Sequence, residues 1–173
     1  YKFNKKKYKG DALITNVKDI AIGVLTADCV PILIYDKNLK IISAVHAGWK
    51  GAYKGIINKV IKFFIKNGSK TEDLIVSIGP CISEKNYEVQ KVFKDKFLKK
   101  DKQNKFFFKI RKNKTYFSLN KYVYSQMKKL GVKNLEIINK NTFDPKNKFF
   151  SARRSIQNKE NDYGRNISII MIN

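Results

Sequence analysis

The chain has 173 residues, 43% of them hydrophobic, with a formal net charge of +23; that is enough for one domain with a sizeable core and short for two. No stretch approaches the roughly 20 apolar residues of a membrane-spanning helix, and the amino end lacks the charged, apolar, small-residue order of a signal sequence, so the sequence reads as soluble and cytoplasmic. The positive charge runs from Lys2 to Arg165 without forming one stripe, and it accompanies an excess of Asn and Ile, whose codons, like those of Lys, are A/T-rich; coding composition accounts for most of it, and no specific nucleic-acid face is expected.

The chain begins at Tyr1 and opens on Lys5-Lys6-Lys7 before any clear core element, so residues 1–173 are expected to form a single domain whose amino-terminal segment is missing. Apolar runs of strand length follow at 12–15, 20–25, 30–35 and 41–45, separated by short polar turns. A helix is predicted over 52–66, where Ile56, Ile57, Val60, Ile61 and Phe64 share one face, with Asn67-Gly68 as its stop. A buried strand at 74–78 ends at Gly79-Pro80. Further helices are predicted over 88–98 and 119–130, the second ending at Gly131. Strands at 135–138 and 167–172 follow, with short ones at 106–108 and 116–117, and the polar stretch 155–162 reads as a surface loop. Strands and helices alternate only loosely and a hairpin comes early. The expected class is therefore α+β: a mixed β-sheet core with flanking helices in an α/β sandwich.

Thr26-Ala27-Asp28-Cys29 joins two of the apolar strands, and the next strand pair ends at His46. With a two-residue turn at Lys37-Asn38, Asp36 pairs with Leu39 and Cys29 faces His46, close enough for both side chains to hold one metal ion. A loop one residue longer would put them on opposite faces. After His46, Ala47-Gly48-Trp49-Lys50-Gly51 turns directly into a helix whose free N–H groups would welcome an anion, with Lys50 adding a point charge. Nothing here has the glycine spacing of a P-loop. Two cysteines, Cys29 and Cys81, make no disulfide framework, and a reducing compartment leaves both as thiols. Arg153, Arg154 and Arg165 stand in a chain whose other basic residues, Arg111 apart, are all lysine. Their planar forks suit bidentate anion recognition, and equally suit an ion pair that fixes the carboxyl-terminal segment.

Five ordered runs extend these readings: Gly10-Asp11-Ala12-Leu13-Ile14-Thr15; Leu25-Thr26-Ala27-Asp28-Cys29-Val30-Pro31; His46-Ala47-Gly48-Trp49-Lys50-Gly51; Gly79-Pro80-Cys81-Ile82 with Tyr87-Glu88-Val89; and Phe150-Ser151-Ala152-Arg153-Arg154 continuing to Gly164-Arg165. Together they resemble the motifs of the laccase-domain family, also called multicopper polyphenol oxidase, across essentially the whole chain. The resemblance implies that Cys29 and His46 are zinc ligands. It also implies that the third ligand, a histidine in a Gln-Val-His motif, precedes Tyr1, so that this chain carries two ligands of three. Lys50 stands where many relatives have arginine and Ala152 where a tyrosine is frequent, so the finer substrate contacts do not carry over. Cys81 matches a position that is not a ligand in the family.

The activity implied by the resemblance is phosphorolysis of purine nucleosides (adenosine, inosine, guanosine, methylthioadenosine), with adenosine deamination in the same site. A zinc ion with an open position suits such chemistry. Lys50, Arg153, Arg154 and Arg165 would hold phosphate, and Asp28 would orient a ligand or move a proton, unless it serves only as a strand-end hydrogen-bond acceptor. Copper is the alternative metal, since cysteine and histidine also suit it. A single histidine, or two with the preceding segment, builds no multinuclear copper cluster. The competing readings are a copper-dependent polyphenol oxidase, a hydrolase that edits a peptidoglycan precursor, and a basic nucleic-acid-binding module. Self-association is compatible with the sequence.

Overall fold

A computed structural model describes residues 10–173, and the lysine run at 5–7 lies outside the described residues. The described elements, in chain order, are β1 (Ala12–Thr15), β2 (Ile22–Thr26), β3 (Val30–Asp36), β4 (Ile41–Ala47), α1 (Trp49–Lys54), α2 (Ile56–Lys66), β5 (Leu74–Ile78), β6 (Glu88–Val89), α3 (Lys91–Lys100), β7 (Phe108–Arg111), β8 (Lys114–Phe117), α4 (Leu119–Lys129), β9 (Asn134–Ile137), α5 (Ala152–Gln157) and β10 (Asn166–Ile170). The main sheet has five strands in the order β1-β4-β3-β5-β9. Only β5 and β9 pair in parallel, so the sheet is mixed, as the loose alternation of elements predicts. A two-stranded sheet pairs β10 with β2, and a three-stranded one has the order β6-β8-β7.

The central strand β3 is covered on both faces, which is why its sequence is an unbroken apolar run rather than an alternating one. One face carries Val30, Ile32 and Ile34 into the core with Ile57, Val60, Ile61 and Phe64 of α2 and Val123 and Met127 of α4. Against the other lie β2 and β10, which bury Ile42 and Ala44 of β4. His46 belongs to this second face, because its partner Pro31 sits one residue out of step with Ile32.

The β3–β4 hairpin departs from the predicted register. Asp36 pairs with Ile41 and Pro31 with His46, so the loop has four residues rather than two. The cause is the Asp36 side chain: its Oδ1 accepts the N–H groups of Asn38 at 2.8 Å and Leu39 at 2.9 Å, and this turn of its own side-chain making holds the wider loop. Two extra residues move the partner of each β3 residue by two positions, and a shift of two preserves the face. Cys29, two residues before Pro31, therefore stays on the His46 face, diagonal to the histidine rather than opposite it.

The single helix predicted over 52–66 is two. It begins three residues early, at Trp49, and breaks at Gly55, whose φ of 87° no L side chain adopts comfortably. Glu88 and Val89, predicted as the start of a helix, instead pair with Tyr116 and Thr115 of β8. The stretch 155–162 is a loop only after Gln157, because α5 occupies its first residues. The β6-β8-β7 sheet and α3 enclose an aromatic cluster in which Phe93 stacks on Phe97 at 4.7 Å and both rings meet Phe117 and Phe108 edge-on or tilted.

The break at Gly55 offers a clean measurement, because a Cβ there would meet nothing within 4 Å. Gly55→Ala should lower stability by about 1–2 kcal/mol through backbone conformation alone. Urea denaturation of the two proteins would measure it, and an unchanged midpoint would mean that the α1–α2 junction relaxes without cost.

Candidate metal and substrate site

Asp28 organises the region. It is buried and sits at φ 82°, the left-handed region that Asp tolerates better than most residues. This conformation turns the chain out of β2 so that Cys29 enters β3 at the open end of the hairpin. The Asp28 carboxylate accepts the Thr142 hydroxyl at 2.6 Å, the Ser151 hydroxyl at 3.0 Å and the Arg153 backbone N–H at 2.7 Å. Its carbonyl accepts the N–H of Ile82 at 3.1 Å. One residue thus fixes the segment after β5, the segment after β9 and the start of α5. Ser151 caps α5 by accepting the Arg154 N–H while it donates to Asp28, so an anion lies at that helix's positive end.

Next to this clasp, Cys29 and His46 converge over Gly48. A Cβ built on Gly48 would lie 3.0 Å from the Cys29 Sγ and 3.7 Å from the His46 Nε2, so the missing side chain leaves a cradle bordered by the two donors. His46 Nδ1 lies 3.1 Å from the Asp11 carboxylate, and the His46 backbone N–H donates to the Asp11 carbonyl at 2.8 Å. A proton on Nδ1 donated to Asp11 leaves the Nε2 lone pair facing the cradle, the arrangement by which a carboxylate orients a metal-binding imidazole. One thiol sulfur and one imidazole nitrogen are a borderline-soft pair that fits zinc or copper. Among the described residues no group of three or more His, Cys, Asp or Glu side chains gathers to hold a metal ion. Burial, then the Asp28 and Asp11 carboxylates, push the Cys29 thiol up to about 11, so without a cation beside it the sulfur stays protonated at neutral pH. Burial, with Asp28 and Cys29 nearby, takes Cys81 to about 12. That thiol lies in the core against the β5 end and is inert.

A cleft of about 490 Å³ opens beside the cradle, lined among others by Trp49, Tyr87, Val89, Phe93, Lys96 and Arg153. Trp49 packs on Phe93 at 4.9 Å, and Lys50 and Lys96 hold their ammonium groups 5.5 Å and 5.6 Å from its ring centre. The Arg153 guanidinium lies 5.5 Å from the Tyr87 ring and donates through Nη1 to the Glu88 carbonyl at 3.0 Å and the Asn86 carbonyl at 3.5 Å, while the residue lines the cleft. Arg154 points elsewhere. It donates to the carbonyls of Thr142 and Phe143, both at 2.9 Å, and of Phe149 at 2.6 Å, tying the segment after β9 to α5. Arg165 is exposed, stacks on Tyr163 at 3.9 Å and donates to the neighbouring carbonyls of Tyr163 and Gly164. The structure therefore brings Cys29 and His46 to one cradle, sets Arg153 in the neighbouring cleft and Lys50 over Trp49, holds Asp28 as a hydrogen-bonded post, and engages Arg154 and Arg165 with local backbone.

Asp11 was missed as a site residue. Its signal lay in the pairing of β1 with β4, which places it beside His46, but the two strands are far apart in sequence and no turn sets their register. Trp49, Tyr87 and Phe93 were read as motif or core positions without a place in a cleft.

A thiol and an imidazole thus border one cradle beside a cleft with aromatic and cationic walls, on a mixed α+β scaffold. The family model described as "Multi-copper polyphenol oxidoreductase laccase" matches residues 2–173, and the chain belongs to that family. A purine nucleoside phosphorylase of Rickettsia conorii is 38% identical over 161 residues, covering 92% of this chain and 66% of the relative. One from Haemophilus influenzae is 32% identical over 171 residues, covering 97% and 67%. The crystal structure of the Bacillus licheniformis hypothetical protein YfiH superposes with a TM-score of 0.84 at 28% identity, covering 94% of this chain and 61% of that one. The chain thus spans about two thirds of the length of the curated relatives it matches. No described helix is long and apolar enough to cross a membrane.

Asp28→Ala leaves the Thr142 and Ser151 hydroxyls and the Arg153 N–H without their shared acceptor and should cost roughly 3 kcal/mol, hydrogen bonds to a buried charge being worth about 1.5–3 kcal/mol each and not additive. Chemical denaturation reads the loss. A change below about 1 kcal/mol would show that the three segments hold together without the carboxylate.

Proposed function

We propose that the chain forms the main part of a zinc-dependent purine nucleoside phosphorylase that also deaminates adenosine. The observation that carries this reading is the convergence of the Cys29 sulfur and the His46 Nε2 on the Gly48 cradle, next to a cleft with an aromatic wall and the Arg153 guanidinium in its lining. The relatives named purine nucleoside phosphorylase support it. Cys29 and His46 would hold the zinc, with a third donor, a histidine, from outside these 173 residues. Bound zinc supplies Lewis acidity and lowers the pKa of coordinated water.

Each of the chain's own groups has a part. Asp11 holds the His46 tautomer. Gly48, lacking a Cβ, keeps the cradle open. Trp49 and Phe93, inclined at 60° to each other, offer a purine apolar ring contacts. Arg153 and Lys50 supply positive charge for phosphate, with the Arg153 fork the better shaped of the two. The six-residue helix α1 is too short to contribute much dipole to that phosphate, which shifts the burden to these side chains. Arg154 and Arg165, also candidates for phosphate in the sequence, are assigned to holding the carboxyl-terminal segment. Adenosine, inosine, guanosine and methylthioadenosine are the expected nucleosides.

The full-length protein with stoichiometric zinc should release adenine or hypoxanthine from nucleoside only when phosphate is present, as followed by chromatography of the free base. Absence of phosphate-dependent release would remove the phosphorylase reading. Phenol oxidation with copper, or turnover of a muramyl-peptide precursor, would replace it. Cys29→Ala and His46→Ala should each abolish zinc retention and turnover together, whereas Arg153→Ala should retain zinc and raise the KM for phosphate by about tenfold, the loss of roughly one charge-assisted contact. Gly48→Ala should leave the fold intact and cut zinc content, because its methyl group falls 3.0 Å from the sulfur. Full zinc occupancy in that variant would move the metal away from the cradle.

A further inference from the structure

A second cleft, of about 580 Å³, lies away from the cradle, where the α1–α2 junction meets the ends of α3 and α4. It shares no lining residue with the Trp49–Arg153 cleft. Five of its nine lining residues are lysine, namely Lys54, Lys59, Lys62, Lys100 and Lys129, and none is acidic. Lysine makes up about one residue in five of the chain, so the coding bias that explains the overall charge does not explain this concentration.

Helix stability explains only part of it. Lys54, Lys100 and Lys129 stand in the last turns of α1, α3 and α4, where cations complement the negative helix ends. Lys59 and Lys62 have no such role. Lys59 lies in the first turns of α2, the positive end, where a cation is disfavoured, and Lys62 follows three residues later on the same face, where like charges repel. The break at Gly55 brings Lys54 alongside this pair. Among the described residues Lys129 is within 4.0 Å of a carboxylate, Asp101, at 3.4 Å, and the other four have none. Lys100 is held against the Tyr53 carbonyl and ring, which fixes its charge at the cleft wall. A concave surface that gathers five cations and pairs only one of them, Lys129, with a carboxylate focuses a positive field into the cleft.

We propose that this cleft binds a small polyphosphate anion: two or three consecutive phosphates, carried by a nucleotide or by inorganic polyphosphate. Its volume is that of a small-molecule site. A single strand of nucleic acid would need a longer track with aromatic platforms for successive bases, and the lining of this cleft contains no aromatic residue. The site stands at the far end of α1 from Trp49, about 9 Å along one six-residue helix from the Gly48 cradle, and shares no lining residue with the cleft beside it.

The test is calorimetric titration of the metal-free protein at physiological salt with inorganic triphosphate and, separately, with ATP. One equivalent should bind. Lys59→Glu/Lys62→Glu should weaken binding by about tenfold or more, since both exposed charges reverse without touching the buried face of α2. The charge-matched Lys121→Glu/Lys146→Glu, outside the cleft, should bind within about twofold of the parent. Equal affinity for the two ligands assigns recognition to the phosphates alone, and tighter ATP binding adds the nucleoside; either supports the proposal. Equal losses in both lysine pairs would mean non-specific charge attraction and overturn it. So would loss in Arg153→Ala with retention in Lys59→Glu/Lys62→Glu, no binding at physiological salt, or binding of an oligonucleotide through these lysines when triphosphate does not bind. If circular dichroism shows the double glutamate variant to be unfolded, Lys59→Gln/Lys62→Gln provides the same comparison, with the loss expected to be smaller but still confined to the cleft pair.

Discussion

A buried carboxylate in a left-handed turn is the constraint from which the active region follows. Asp28 must accept three donors from segments more than a hundred residues away, and its own carbonyl takes a fourth. Without partners such a group would be strongly unfavourable inside the protein; with them it becomes the point where the end of β2, the loop after β5, the loop after β9 and the cap of α5 meet. The thiol of Cys29 and the guanidinium of Arg153 take their places relative to each other because both are neighbours of this junction. Arg154 completes it from the other side by closing three carbonyls that the loop after β9 would otherwise leave open.

The same carboxylate, after burial, shapes the electrical character of the cradle. Burial first, and then the carboxylates of Asp28 and Asp11, make the Cys29 sulfur resist ionisation. The imidazole is prepared differently: Asp11 grips both the ring and the backbone of His46, fixing orientation and tautomer together. One donor is thus held in reserve as a neutral thiol, and the other is kept ready as a lone pair.

Much of this was readable in the residues. The mixed sheet followed from apolar runs and their spacing, and the strands 12–15, 30–35, 41–45 and 74–78 lie close to where the runs placed them. The nearness of Cys29 and His46 was also foreseen, though by a register two residues off; it survived because an even slip keeps side chains on their face. The turn that caused the slip depends on how the Asp36 carboxylate reaches Asn38 and Leu39, a local competition that hydrophobic periodicity does not encode. The break at Gly55 was missed because the apolar face of α2 continues the pattern of α1 with almost no phase change. Glu88 and Val89 were lost to a strand whose only partner, β8, is distant in sequence. The arginines were the least legible: Arg153 and Arg154 are adjacent and chemically identical, and only the helix turn between them decides that one lines the cleft and the other holds the loop after β9.

Trp49 is the only tryptophan in the chain. It begins α1 directly after the cradle glycine, rests on Phe93 and lies beneath two ammonium groups, with the cleft on its open side. All indole emission from the protein therefore originates at one wall of the candidate site, where displacement of water or movement of either lysine changes the surroundings of the ring. The molecule carries its own optical reporter of occupancy, placed by the fold where a ligand would arrive.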